Sequence, residues 1–192
     1  MIERIALNLR MVPMLAALVF LIAGVAPAAR ADESNAAKAK ALVNAAIKMT
    51  DSNAAVKLLW QATDIDPTLI DSYVYLGAYY NSRSDFENMI KVYQKQAAKI
   101  PSQAISAYLN IGEAYQSLSP PRLDDALVNY RKAYALDSKN SFAALRIGEV
   151  LAHQGSRDEA VKFLRIALVT AGGDHPTISA EAKRDLAQLG AM

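Results

Sequence analysis

A recurring dipeptide constrains the fold of this chain more than any other feature of its sequence. A large aliphatic residue precedes glycine three times, at Leu76–Gly77, Ile111–Gly112 and Ile147–Gly148, so that successive glycines lie 35 and 36 residues apart. A second series has nearly the same period, because Ala55, Met89, Ala126 and Ala160 are each followed four positions later by a bulky residue, Leu59, Tyr93, Tyr130 and Leu164. Self-similarity at a period of about 34 residues is typical of chains that stack one helical hairpin on the next.

These residues resemble the motif of the tetratricopeptide repeat (TPR), a helix–turn–helix unit of about 34 residues. The unit that begins at Ile70 carries seven of the eight motif residues, and Gln96 stands where the motif has alanine. The seven matching residues are Tyr73, Leu76, Gly77, Tyr80, Met89, Tyr93 and Pro101. The first unit is degenerate, because Val43 stands where the motif has glycine.

The resemblance implies an all-α fold, a right-handed superhelix of about four TPR repeats followed by a C-terminal capping helix. We place the repeats at residues 36–69, 70–104, 105–140 and 141–174. The capping helix is expected at 176–190, where Ile178, Ala182, Leu186 and Leu189 share one face and would cover the apolar surface of the last repeat. Within the fourth unit, Ser156–Glu159 reads SRDE, the pattern of a helix capping box.

The recurring glycines need a structural reason, because glycine inside a helix costs about 1 kcal/mol relative to alanine. A side chain at a helix contact holds the two axes roughly 8–10 Å apart, so small residues allow the closest crossing. We therefore expect Gly77 to lie where helices converge with the positions of Met89 and Gln96, while Tyr73 and Tyr80 fill the space on either side.

The first 31 residues have the layout of a secretory signal. A weakly basic start precedes an uncharged stretch from Met11 to Ala29, and Ala29–Ala31 supplies the small-x-small pattern of a signal-peptidase site. We expect cleavage before Asp32 and export to a bacterial periplasm. The alternative is an uncleaved anchor through residues 11–29, whose length is near the lower limit for spanning a bilayer, and which would tether the protein to the inner membrane.

Composition and charge argue against several classes of function. The absence of cysteine excludes disulfides, thiolate metal sites and cysteine nucleophiles. Without residues 1–31 the chain has equal numbers of basic and acidic residues, so we expect no binding to nucleic acid. His153 and His175 have neither the spacing of a zinc site nor recognisable catalytic partners. We therefore predict a protein that is not an enzyme and that has no catalytic residues, metal or cofactor.

The resemblance implies that the first helix of each repeat lines a concave groove. The positions that face this groove in the family correspond to Lys40, Asn44, Asp71, Val74, Tyr75, Asn81, Ser106, Leu109, Asn110, Glu113, Gln116, Phe142, Leu145, Arg146, Glu149 and His153. Tyrosine and arginine are the usual anchors of interfaces. Partner contacts are predicted at Tyr75, Asn110, Glu113, Phe142, Leu145, Arg146 and Glu149. In the alternative interpretation these side chains pack on one another across a tight superhelix.

Together these features predict a non-catalytic periplasmic adaptor or scaffold that binds a protein or peptide partner in the groove. The alternative is an inner-membrane-anchored TPR subunit of a larger membrane protein complex. The sequence identifies no particular partner and leaves self-association open.

Overall fold

The structure, a computed structural model, describes the backbone of residues 26–191 and side chains from Asp32 onward. Within this part of the chain the regular structure is helical, and no strand occurs. The α-helices are α1 (Ala26–Ala46), α2 (Ser52–Ile65), α3 (Ile70–Ser82), α4 (Phe86–Lys99), α5 (Ala104–Ser117), α6 (Leu123–Leu136), α7 (Ser141–His153), α8 (Arg157–Ala171) and α9 (Pro176–Gln188). A 3₁₀ turn, Pro101–Gln103, precedes α5. The predicted all-α fold is confirmed.

The helices stack in chain order, each packed against the one before it. Short turns join them, and polar side chains begin several helices: Asp51, Asp85 and Asn140 accept hydrogen bonds from backbone amides of α2, α4 and α7. Because each helix contacts mainly its neighbours, the core is a series of apolar clusters along the stack.

The predicted capping box does not form. Ser156 is the N-cap of α8, but its side chain accepts no hydrogen bond from the first turn. Glu159, the other half of the pattern, lies 3.3 Å from the guanidinium of Arg131 on α6. The glutamate is thus directed to the neighbouring helix instead of its own amide end.

The recurring glycines make room for a bulky side chain from the second helix of the same hairpin. A Cβ atom on Gly112 would stand 2.7 Å from ring atoms of Tyr130, and one on Gly148 would stand 2.7 Å from Cγ of Leu164. Tyr93 lies against Gly77 in the same way. The sequence predicted contacts among small positions, whereas the structure sets each glycine directly beneath a large residue.

The two tyrosines expected beside Gly77 are held by hydrogen bonds. Tyr73 is fully buried and donates to the carbonyl of Pro67 at 2.9 Å. Burial, together with the charges of Asp64 and Asp66, raises the pKa of Tyr73 to about 12. Tyr80 accepts a hydrogen bond from the indole of Trp60 at 3.0 Å.

Gln96, which replaces the alanine of the motif, is buried on α4. Its side-chain oxygen Oε1 has no hydrogen-bond partner among the described residues. A buried amide oxygen without a partner is costly. Nothing in the described structure explains this glutamine.

The last helix, α9, covers the apolar end of the stack. Ala182 and Leu186 on α9 pack with Leu164 and Ala167 of α8. Arg157 donates to the carbonyl of Leu189 at 2.6 Å and closes the end of α9 against the start of α8. A terminal repeat that would otherwise expose its apolar face is thereby covered.

The predicted leader lies almost entirely outside the described residues. Of residues 1–31, only the backbone of 26–31 is described, and it forms the start of α1, so the predicted cleavage site falls within this helix. Among the helices from residue 26 onward, none combines the length and the apolar character needed to cross a bilayer.

Replacing Gly112 by alanine should destabilise the protein even though alanine favours helix. The gain in helix propensity is about 1 kcal/mol, but overpacking a buried site typically costs about 1–3 kcal/mol. Tyr130 is fully buried and its hydroxyl is bonded to Gln116, so its ring cannot easily move aside. We expect a net loss of up to about 2 kcal/mol in the free energy of unfolding, measured by urea denaturation followed by circular dichroism.

Gly173→Ala is the matched control, because apart from Gly173 and its two chain neighbours no atom lies within 4 Å of where its Cβ would be placed. It should change stability by less than about 0.5 kcal/mol. A Gly112→Ala variant as stable as wild type would show that the Tyr130 contact does not require glycine.

Candidate functional site

A cavity of about 620 Å³ opens between α3, α4 and α5, and we call it the central pocket. The α3 and α4 side is mainly apolar, whereas α5 contributes mainly polar side chains. Its lining comprises Val74, Gly77, Ala78, Asn81, Phe86, Met89, Tyr93, Asn110, Glu113, Ala114, Gln116, Ser117 and Arg146. The pocket therefore combines an apolar wall with a polar wall.

A second cavity of about 570 Å³ adjoins the first, and we call it the C-terminal pocket. It lies between α5, α7 and α9, and Gln116 lines both cavities. Glu149, His153, Arg184 and Asp185 provide its charged and titratable groups. The two pockets share Gln116 and are lined by residues from α3 to α9, and we call them together the groove.

Three charged residues, Glu113, Arg146 and Glu149, lie where the two pockets meet. Arg146 on α7 donates from Nη1 to Oε2 of Glu149 at 2.8 Å. Its Nη2 lies 3.6 Å from Oε1 of Glu113 on α5, which is an ion pair but too long for a hydrogen bond. The guanidinium also lies 4.6 Å from the ring centroid of Phe142. One cation thus serves two carboxylates, and this cluster carries a net charge of −1.

Burial perturbs the titration of the groups around the central pocket. Burial raises the pKa of Glu113, and the charge of Glu149 adds to the effect, whereas Arg146 partly offsets both. Burial also raises the pKa of Tyr93, with a further contribution from the Glu113 carboxylate. For Arg146, burial is the largest single influence and opposes the charged form, but the hydrogen bond to Glu149 and the charges of Glu149, Glu113 and Tyr130 together outweigh it, and the pKa rises. Glu113 is therefore a partly desolvated carboxylate.

Gln116 is held in place at the junction of the pockets. The buried hydroxyl of Tyr130 donates to its side-chain oxygen, and burial raises the pKa of that hydroxyl. Tyr130 uses one lone pair of the Gln116 oxygen, so the amide nitrogen and the second lone pair remain for other contacts.

The structure brings four of the seven predicted contact residues together at the groove. Asn110, Glu113 and Arg146 line the central pocket, and Glu149 lines the C-terminal pocket. Tyr75 lies on α3 outside both pockets, with 42% of its surface exposed. Phe142 lies under Arg146 and borders a separate cavity of about 250 Å³ beside Ile178.

The prediction that Leu145 faces an open groove is wrong. Leu145 is fully buried in the cluster that contains Ala182 and Leu186 of α9. The equivalent residue of the second unit, Val74, is 52% exposed and lines the central pocket. The two positions differ because the capping helix packs over the fourth repeat and covers its outward-facing leucine.

Sequence reasoning missed the part of the central pocket that comes from α4. Met89 and Tyr93 are core positions of the repeat motif, yet together with Phe86 they reach the pocket past Gly77 and Ala78. The signal lay in the residue after each recurring glycine, which is Ala78 in the second unit but glutamate in the next two. Because these two adjacent residues on α3 are small, side chains of α4 are accessible from the pocket.

The alternative interpretation, in which groove side chains pack on one another, holds in part. Arg146 contacts Phe142, Glu113 and Glu149, whereas Val74 and Tyr75 remain exposed. Among the described residues, no group of His, Asp and Glu is arranged to hold a metal ion. The groove offers apolar surface, hydrogen-bonding amides and one partly desolvated carboxylate.

Arg146→Met should destabilise the protein at neutral pH, because it removes the cation that Glu113 and Glu149 share. Hydrogen bonds to charged groups contribute about 1.5–3 kcal/mol, so we expect a loss of about 2 kcal/mol in urea denaturation. Without the cation, the pKa of Glu113 should rise further above its ordinary value. At pH values between the raised pKa of Glu113 in the folded variant and its ordinary pKa in the unfolded chain, the folded variant binds a proton that the unfolded chain does not. The free energy of unfolding of the variant therefore increases as pH falls. The loss should therefore shrink between about pH 7 and about pH 4.5.

Arg131→Met is the control for this prediction. Arg131 pairs with Glu159 at 3.3 Å on the surface, where both side chains are about half exposed, and its removal should cost less than about 1 kcal/mol. Equal effects of the two substitutions at all pH values would contradict the role assigned to the cluster.

Comparison with known proteins supports the repeat architecture. No protein-family model matches the chain. Mouse tetratricopeptide repeat protein 21B is 25% identical over 124 residues, which span 64% of this chain but only 9% of the mouse protein. Among solved structures, TTC0263, a thermophilic TPR protein of Thermus thermophilus, superposes with a TM-score of 0.57 at 19% identity, covering 80% of this chain and 84% of the other.

A second solved structure, YrrB, is described as a TPR protein with an unusual peptide-binding site. It superposes with a TM-score of 0.57 at 19% identity, covering 85% of this chain and 84% of its own. At such identities the likeness concerns the fold. The period of the sequence, the stacked helical hairpins and these superpositions agree that the chain has the tetratricopeptide repeat fold.

Proposed function

We propose that the protein is a non-catalytic scaffold that binds a segment of a protein or peptide partner in the groove formed by the central and C-terminal pockets. The observation that carries the proposal is the pair of adjoining cavities, about 620 and 570 Å³, which meet at Gln116. The reported peptide-binding site of YrrB is consistent with such a use of the fold.

The exposed surface beside the central pocket favours binding of a partner. Val74 and Tyr75 on α3 are 52% and 42% exposed, although both are large apolar or aromatic residues. Aromatic side chains anchor interfaces because they remove much apolar surface from water at a small cost in side-chain entropy. Tyr75 would therefore contact a partner that continues from the pocket along α3.

The groups in the groove suit recognition better than catalysis. The phenol of Tyr93 lies against Gly77, Arg146 is bonded to Glu149, and Gln116 is bonded to Tyr130. A nucleophile needs a general base held within hydrogen-bond reach, and none of these contacts joins such a pair. The groups are placed to hold a ligand through hydrogen bonds and apolar contact.

A substitution that fills the central pocket tests the proposal. Ala78 is exposed on α3 and lines the pocket, so Ala78→Arg should block it without entering the core. Random dodecapeptides displayed on phage would be selected for binding to the protein purified from the cells that produce it. Binding of the selected peptides, measured by fluorescence anisotropy, should be lost in Ala78→Arg and retained in Ala135→Arg, an exposed position on α6.

Tyr75→Ala gives a second measure of the same site. If Tyr75 is an anchor, its removal should weaken binding by about 2 kcal/mol, or roughly thirtyfold, and leave Tm nearly unchanged. Peptides that bind Ala78→Arg as well as wild type would place the interaction elsewhere and contradict the proposed groove.

We further propose that the protein acts on the periplasmic side after export. The layout of residues 1–31 supports export, since an uncharged stretch is followed by a signal-peptidase pattern at Ala29–Ala31. The second candidate is a TPR subunit anchored in the inner membrane, which the uncharged length of residues 11–29 favours.

The N-terminus of the protein recovered from cells distinguishes these candidates. We expect sequencing to begin at Asp32, because the cleavage pattern ends at Ala31. An N-terminus at Met1 in the membrane fraction would instead support the anchored subunit. Recovery of a chain with Met1 from the soluble cytoplasmic fraction would contradict both.

A further inference from the structure

The geometry points to a specific partner chemistry: we propose that the segment bound in the groove inserts a lysine or arginine side chain into the central pocket, with its charged end at Glu113. This inference rests on the proposed function and narrows the class of peptide that the groove would accept.

Negative charge is in excess where the two pockets meet. Arg146 is hydrogen-bonded to Glu149 at 2.8 Å, whereas its nearest approach to Glu113 is 3.6 Å. Among the described residues, no side chain donates a hydrogen bond to the Glu113 carboxylate. With one cation shared by two carboxylates, Glu113 retains most of its capacity to accept hydrogen bonds.

The Glu113 carboxylate is partly buried and still reaches the cavity. Partial burial weakens hydration of the charged form and so raises the pKa of this carboxyl group. The carboxylate nevertheless reaches the cavity, because it lines the central pocket and 39% of the side chain is exposed. A cation placed in the pocket would supply the hydrogen bonds and the opposite charge that this carboxylate lacks.

The opposite wall of the pocket matches the rest of a basic side chain. Val74 and Ala78 on α3 and Phe86 and Met89 on α4 form an apolar surface facing the polar residues of α5. Lysine and arginine carry three or four methylene groups that pack on apolar surface while the charged end reaches a polar group. Asn110, also in the lining, carries a side-chain carbonyl that can accept a hydrogen bond.

An acidic side chain would fit this pocket poorly. Arg146 already donates to Glu149, and its guanidinium packs on the ring of Phe142. A carboxylate that approached Arg146 would lie beside both Glu113 and Glu149, and like charges at such distances repel. The lining of the C-terminal pocket contains two carboxylates, Glu149 and Asp185, and one guanidinium, that of Arg184.

The test uses the dodecapeptides selected on the wild-type protein. Those whose binding is lost in Ala78→Arg should share a lysine or arginine. For one such peptide, Glu113→Gln should weaken binding at least about tenfold, as expected for loss of a charge-assisted hydrogen bond. Glu87→Gln is the matched control, because Glu87 is exposed on α4 and lines neither pocket.

The basic residue that the selected peptides share is then replaced by norleucine. Together with Glu113→Gln, this replacement gives a double-mutant cycle. The norleucine peptide should bind wild type more weakly, and Glu113→Gln should not weaken it further. Groove-binding peptides that lack a basic residue, or an equal effect of Glu113→Gln on the lysine and norleucine peptides, would overturn the inference and leave the scaffold function standing. If no selected peptide is blocked by Ala78→Arg, the proposed function fails, and this inference fails with it.

Discussion

The contact between a glycine on the first helix of a hairpin and a bulky side chain on the second underlies the rest of this structure. Gly77, Gly112 and Gly148 lie beneath Tyr93, Tyr130 and Leu164, at distances that leave no room for a Cβ atom. Each contact sets how closely two helices approach, and the next hairpin packs on the pair that results. The loss of helix propensity at glycine is offset by burial of a large apolar group.

The same contact shapes the groove. In the second hairpin the glycine is followed by Ala78, so the surface between α3 and α5 stays open down to Phe86 and Met89 of α4. In the third and fourth hairpins the residue after the glycine is a glutamate, and the carboxylates of these two residues flank Arg146. The residue after the glycine thus determines the surface of its repeat, because alanine leaves an open apolar wall and glutamate gives a charged one.

A cluster of three charged residues lies where the two pockets of the groove meet. Arg146 comes from the fourth hairpin and Glu113 from the third, so the cluster forms only when the two hairpins are stacked. The cation holds the junction of the pockets together, yet it does not fully compensate both carboxylates. The cluster thus links two hairpins of the stack and leaves a partly desolvated acceptor in the central pocket.

The amino-acid sequence alone determined the repeat period and the all-α class, because these depend on the spacing of residues close in the chain. It also placed Asn110, Glu113, Arg146 and Glu149 on the groove side of their helices. The large residue that packs against each glycine was decided by the tertiary structure, because that contact depends on how the two helices of a hairpin cross. Only the tertiary structure decided that Leu145 is covered, since its exposure depends on where α9 packs. It likewise revealed that α4 contributes to the central pocket, because the depth of that cavity depends on side chains brought together from three helices.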